Sequence, residues 1–163
     1  MSAIFSPCKQ YRYLLKRESN SFYVDKTTSL FVMLNPSTAD ENINDPTIRR
    51  CIGFAETWGC AGLIVANLYA YRSTDPKKLN QVSDPIGPEN NAHLEKLAKE
   101  YDDVVFAWGN NANTARAKQV IEIFQKHGSR AWCLGVTKAG HPKHPLYIRA
   151  SQPLMPFDPS KLI

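Results

Sequence analysis

Four short, unbroken apolar runs, each ending abruptly at a small or polar residue, constrain this chain more than any other feature. They are Leu30-Phe-Val-Met-Leu34, Gly62-Leu-Ile-Val-Ala66, Val104-Val-Phe-Ala-Trp108 and Ala131-Trp-Cys-Leu134. A strand with one solvated face alternates apolar and polar side chains, because successive residues point to opposite sides. Runs without alternation belong to strands covered on both faces. Between them lie stretches with helical spacing. Residues 47 to 58 place Ile48, Ile52, Phe54, Ala55 and Trp58 along one side, with Gly59 as a stop. Glu89 to Tyr101 repeats Ala92, Leu94, Leu97, Ala98 and Tyr101, and Ala112 to His127 reads as a helix stopped by Gly128.

Strands alternating with helices predict an α/β protein, a three-layer sandwich with a central, mostly parallel sheet flanked by helices. A length of 163 residues suits one domain, and no internal repeat or linker divides it. Within it the sequence predicts an N-terminal hairpin over 1–28, an α/β core over 29–150 and an irregular tail over 151–163. The hairpin rests on Tyr11-Arg-Tyr-Leu-Leu15 and Ser21-Phe-Tyr-Val24, set around the polar Lys16-Arg-Glu-Ser-Asn20. The tail rests on Pro153, Pro156 and Pro159.

Composition narrows the class. No run approaches the roughly 18 apolar residues that cross a membrane. No basic segment followed by an apolar stretch marks a secretory signal, so the expectation is a cytoplasmic, monomeric protein with no membrane partner. Cys8, Cys51, Cys60 and Cys133 are separated by 42, 8 and 72 residues, which matches no paired zinc or iron–sulfur spacing. Twenty Lys and Arg against fifteen Asp and Glu give a net charge of +5, which favours phosphate-bearing partners.

In open α/β sheets, ligands bind outside the carboxyl ends of the strands. Here those ends are Asn35, Asn67, Gly109-Asn-Asn111 and the segment after Leu134. Asn35 precedes a proline that biases it away from helical angles, so its amide either satisfies the loop backbone or projects from the strand end. Asn67 offers one donor and one acceptor, to neighbouring backbone or to the edge of a base. His141 and His144, even with Asp40, Glu41 and Asp45 upstream, show no metal-site spacing, and neither metal nor cofactor is expected. Arg49, Arg50, Arg72, Lys77, Lys78, Lys138, Lys143 and Arg149 flank the same face as a solvated rim or as phosphate contacts. Tyr69, Tyr71, Trp108 and Tyr147 are core aromatics or a stacking surface for a base.

Together these motifs resemble the uracil-DNA glycosylase superfamily. Met33-Leu-Asn-Pro-Ser37 is similar to its first motif in the mismatch-specific branch, which uses asparagine. Val65-Ala-Asn-Leu68 corresponds to the strand whose asparagine reads the base, Val105-Phe-Ala-Trp-Gly-Asn-Asn-Ala112 to the third motif, and His141-Pro-Lys-His-Pro-Leu146 to the last. Asn35-Pro-Ser-Thr38, Asp45-Pro-Thr-Ile-Arg-Arg50, Asn67-Leu-Tyr-Ala-Tyr-Arg72 and His144-Pro-Leu-Tyr147 resemble more closely a bacterial and phage family catalogued only as a domain of unknown function.

The glycosylase resemblance implies hydrolysis of an N-glycosidic bond of a base in nucleic acid, DNA before RNA, or in a nucleotide. It implies that Asn35 orients a water and that His144 donates a hydrogen bond to the departing base. The last motif carries an additional residue, so His141 or His144 can take that role; His-Pro-Leu-Tyr favours His144. Pro36, Ser37, Asn67, Tyr69, Arg72, Asn110, His141 and Tyr147 would contact the substrate, and Arg49, Arg50, Lys138 and Lys143 its phosphates. The alternative is a non-catalytic nucleic-acid or nucleotide-binding module on the same fold.

Overall fold

The apolar runs lack alternation because each strand they form faces two cores. A computed structural model describes residues 2–18 and 27–162. Its strands are β1 (Ser2–Phe5), β2 (Arg12–Glu18), β3 (Thr28–Met33), β4 (Gly62–Asn67), β5 (Asp103–Phe106), β6 (Arg130–Cys133) and β7 (Met155–Pro156). The helices are α1 (Pro46–Thr57), α2 (Asn90–Glu100) and α3 (Thr114–Lys126). Leu30, Val32, Ile64, Ala66, Val104 and Phe106 point into one core with Leu94, Leu97, Val120 and Phe124 of α2 and α3. Phe31, Met33, Leu63, Val65 and Val105 point the other way, onto Ile48, Cys51 and Phe54 of α1. Helices therefore cover both faces.

The sheet order is β1-β2-β4-β3-β5-β6-β7. The four central strands run parallel, while β1, β2 and β7 pair antiparallel at the edges. The expected mostly parallel sheet is thus a mixed one, with half of its pairings antiparallel. Its edge strands are short or carry charged residues, and they lack the long apolar run that marks a doubly covered strand.

The N-terminal hairpin differs from the sequence reading as well. Lys16 to Glu18, read as a turn, continue β2, and its hairpin partner is β1. Ser21 to Val24 lie outside the described residues. The charge at Arg17 misled because that side chain points inward and is 3% exposed. Its guanidinium donates to the Asn44 side chain at 2.7 Å and to the carbonyls of Asp40 and Ile43.

The C-terminal tail is likewise more structured than its prolines suggest. Beyond supplying β7, it buries Phe157 against the rings of Phe106 and Trp108. Around Leu162 its backbone passes so near Gly140 that a Cβ there would collide with the Lys161 carbonyl. Among the described residues, no helix is long and apolar enough to cross a membrane.

Candidate functional site

The chain runs from β3 through α1 to β4 on one side, then through α2 to β5 on the other side of β3. The crevice where these connections diverge is where such sheets bind ligands. Here a cleft of about 220 Å³ opens at that point. The β3 end supplies Asn35, Pro36 and Ser37, β4 supplies Asn67, the β5 end supplies Trp108 to Asn111, and the last loop supplies His144 and Tyr147. The two expected catalytic positions, Asn35 and His144, and five of the expected substrate contacts, Pro36, Ser37, Asn67, Asn110 and Tyr147, meet in this one space.

Asn67 is 1% exposed, and among the described residues neither its amide nitrogen nor its amide oxygen has a hydrogen-bond partner. Its backbone is held firmly. The buried Asn90 donates to the carbonyls of Asn67 and Leu68 at 3.0 and 3.2 Å, and Arg116 Nε donates to Leu68 O at 2.9 Å. The strand end is fixed while the side chain is left unsatisfied.

Asn35 is the complementary case. Its amide nitrogen donates to Pro36 O at 3.1 Å and to Ser73 O at 2.9 Å. Both donors are spent, so what Asn35 offers the cleft is an acceptor oxygen.

The two histidines separate by depth. His141 is 4% exposed, and its Nδ1 accepts from Trp108 Nε1 at 3.0 Å. It lies behind the indole and orients it, outside the cleft lining. His144 lines the cleft, and its Nδ1 accepts from the Leu146 backbone N–H at 3.3 Å. With Nδ1 an acceptor, the ring proton sits on Nε2. Burial pushes the His144 pKa down, partly opposed by the nearby charge of Asp45, so the ring is a neutral Nε2–H donor at neutral pH. The loop reaches this place through Gly109. That residue has φ +76°, donates to Pro142 O at 2.8 Å, and would bring a Cβ within 3.3 Å of His144 Cβ.

Arg12 and Asp45 also line the cleft, and neither is among the site residues expected from sequence. Arg12 is 2% exposed; Nη1 donates to Ala39 O at 2.9 Å, and Nε has no partner among the described residues. Burial lowers its pKa to about 10, leaving it charged at neutral pH. Asp45 caps α1 by accepting from Ile48 N at 2.9 Å, and it braces the preceding loop by accepting from Ala39 N at 3.3 Å. The pattern Asp45-Pro-Thr-Ile48 carries the cap signal in sequence. No sequence signal marks Arg12, because the periodicity of a strand does not distinguish a buried arginine from an edge one.

Other expected residues lie elsewhere. Tyr69 is buried in the core, with its hydroxyl accepting from Asn113 N at 3.3 Å. Arg72 stacks over Phe5 beside the cleft. Of the expected phosphate contacts, Arg49 donates to Asn44 O at 2.8 Å, and Arg50 donates to Ile148 O while packing on Phe54. Lys138 and Lys143 are exposed, and none of the four lines the cleft.

Fold and site together define an α/β protein with a polar cleft at the carboxyl ends of its central strands. The sequence model of a family described as a protein of unknown function (DUF1643) matches residues 12–146, and the chain belongs to that family. No curated protein and no solved structure matches the chain.

Proposed function

We propose that this protein takes one base of a nucleic acid or nucleotide into the strand-end cleft and hydrolyses its N-glycosidic bond. The observation that carries this reading is Asn67. A buried amide left without partners costs about 1–3 kcal/mol. Asn90 holds its carbonyl, and Asn90 and Arg116 hold the next one, so that the side chain stays committed to the cleft. Every base presents an acceptor beside a donor on its pairing edge, which matches the two atoms Asn67 leaves open. Trp108 adds an aromatic wall, and about 220 Å³ lies below the range of about 300–1,000 Å³ usual for drug-sized ligands. The motif resemblance to the uracil-DNA glycosylase superfamily supports the same chemistry.

In this reading the C–N bond breaks with its electron pair leaving on the base, as positive charge grows on the sugar. The Nε2–H of neutral His144 donates to the base oxygen on which negative charge develops. Asn35 Oδ1 accepts from a water whose oxygen bonds to the anomeric carbon, and the surplus proton ends on the departed base. Asparagine is no strong base, so it positions this water without deprotonating it. Asp45, the one carboxylate lining the cleft among the described residues, supplies negative charge near the growing cation.

A second reading, base binding without hydrolysis, is favoured by one feature: both oxygens of Asp45 already accept backbone N–H groups. Oligonucleotides carrying uracil, mismatched, alkylated and phage-type modified bases separate the two. Abasic sites support hydrolysis. Salt-sensitive binding with no base released from any substrate supports the binding module, and no affinity at low salt for these strands or for free nucleotides removes both.

A further inference from the structure

Beside the cleft lies a shallower depression of about 400 Å³, lined chiefly by Ser37, Thr38, Arg72, Ser73, Thr74 and Lys78. Ser37, Ser73 and Thr74 line both spaces, so the two are continuous. The shelf is rich in uncommitted donors. No described residue accepts from the backbone N–H or the hydroxyl of Ser37, Thr38 or Thr74. Lys78 is exposed on the 3-10 turn Pro76–Asn80 and has no ion pair among the described residues. Arg72 is pre-oriented: its guanidinium carbon lies 4.7 Å over the Phe5 ring, and Nη1 donates to Lys9 O at 3.3 Å. Its other N–H groups remain for a ligand.

The neighbouring carboxylates each commit one oxygen to the backbone, and Asp40 lies near enough to Arg72 for the two charges to interact. Asp75 accepts from Lys77 N at 3.0 Å, and Asp40 accepts from Asn42 N and Ile43 N at 2.8 Å each. The Ser73 hydroxyl is engaged with the Asp75 backbone. What is left is two cations and a set of hydroxyl and amide donors, the donor set that phosphate oxygens take.

We propose that this shelf is a phosphate subsite, holding a phosphate of the same molecule whose base enters the cleft. It rests on the base-binding reading of the cleft. It also moves phosphate recognition from Arg49, Arg50, Lys138 and Lys143 to the opposite side, between the β3 end and the 3-10 turn.

The test measures binding against salt for Lys78→Glu and Arg72→Gln, with Lys99→Glu on the exposed side of α2 as a charge-matched control. Probes are a short single-stranded oligonucleotide, the same strand with one abasic site, a nucleoside and its 5′-monophosphate. Both shelf variants are expected to weaken the intact and abasic strands alike, several-fold. Each should flatten the slope of log affinity against log salt by about 0.7 for every phosphate that the variant no longer neutralises. The control and nucleoside binding should not change. Loss confined to the strands assigns a phosphodiester, and equal loss with the monophosphate assigns a nucleotide phosphate; either upholds the subsite. Wild-type affinity and slope for the abasic strand in Lys78→Glu, an exposed position that cannot unfold the chain through lost packing, overturns it, as does an equal loss in the control. Failure of the base reading shows separately, as nucleoside binding that is absent or insensitive to Asn67→Leu.

Discussion

The cavity at the amino ends of the central strands, about 530 Å³, is larger than the cleft at their carboxyl ends, about 220 Å³. Yet the larger one has its charged groups matched to each other. Arg130 grips Asp103 with two hydrogen bonds of 2.8 and 2.9 Å, and Trp132 Nε1 adds a third at 2.9 Å. At the carboxyl ends the polar groups are held by backbone on one side and left open on the other: Asn67 with both amide atoms, Asn35 with its oxygen, His144 with Nε2–H. Volume and open polar groups therefore rank the two ends in opposite order. The useful sign is a buried polar group that the fold fixes in place without satisfying.

The contrast breaks or sharpens most visibly at His144. His144→Ala should slow base release by about 10²–10³-fold, the usual cost of losing one donor to a developing anion. It should also remove the acid limb of the pH–rate profile. Protonation would put a hydrogen on Nδ1 against the Leu146 N–H, so wild-type activity should fall as pH drops through a pKa below the ordinary histidine value, to which burial has pushed it. A wild-type rate in the variant would take His144 out of the mechanism.

Asn67→Leu should weaken binding of a preferred base by about 1–3 kcal/mol and erase discrimination among bases. The same change should leave thermal stability equal or higher, because it removes buried atoms that lack partners. A melting temperature well below wild type would show that the amide serves the fold, and the contrast between the two ends would collapse.

The smallest effect belongs to the amino end. Asp103→Asn should leave ligand binding unchanged and lower stability only slightly, since the pair is exposed. Hydrogen bonds from Arg130 hold the Asp103 pKa below its usual value. Its contribution is therefore present above the ordinary carboxylate range and lost as pH falls through the lowered value, and the variant should unfold with a flatter acid slope. A loss of nucleic-acid binding here would place function at the wrong end of the sheet.

Much of this was legible in the chain. Leu30 to Leu34 and Val104 to Trp108 announce strands buried on both faces because they lack alternation, and Asn35, Asn67 and His144 stand where those strands and the last loop end. The resemblance to a family without assigned activity holds over residues 12–146. Arg12, Arg17, Asn90 and Arg116 were not legible. Each is a polar residue that ordinarily lies at the surface, and each is buried here while donating to backbone carbonyls far away in the chain, at Ala39, Asp40 or Leu68. The tail differs: its prolines mark irregular backbone but say nothing about where Phe157 and Leu162 pack.

The sequence by itself determined the layers, the strand-end asparagines and the histidine loop, because these depend on local periodicity and on residues that interrupt it. Only the tertiary structure decided which groups stay open. It set His144 in the cleft and His141 behind Trp108, spent both donors of Asn35, left the Asn67 amide unpaired among the described residues and opened the Arg72–Lys78 shelf beside it. The physical reason is that hydrogen-bond satisfaction is a property of pairs far apart in the chain. A residue's chemistry is written at its own position, whereas its availability is settled by the neighbours that folding brings to it.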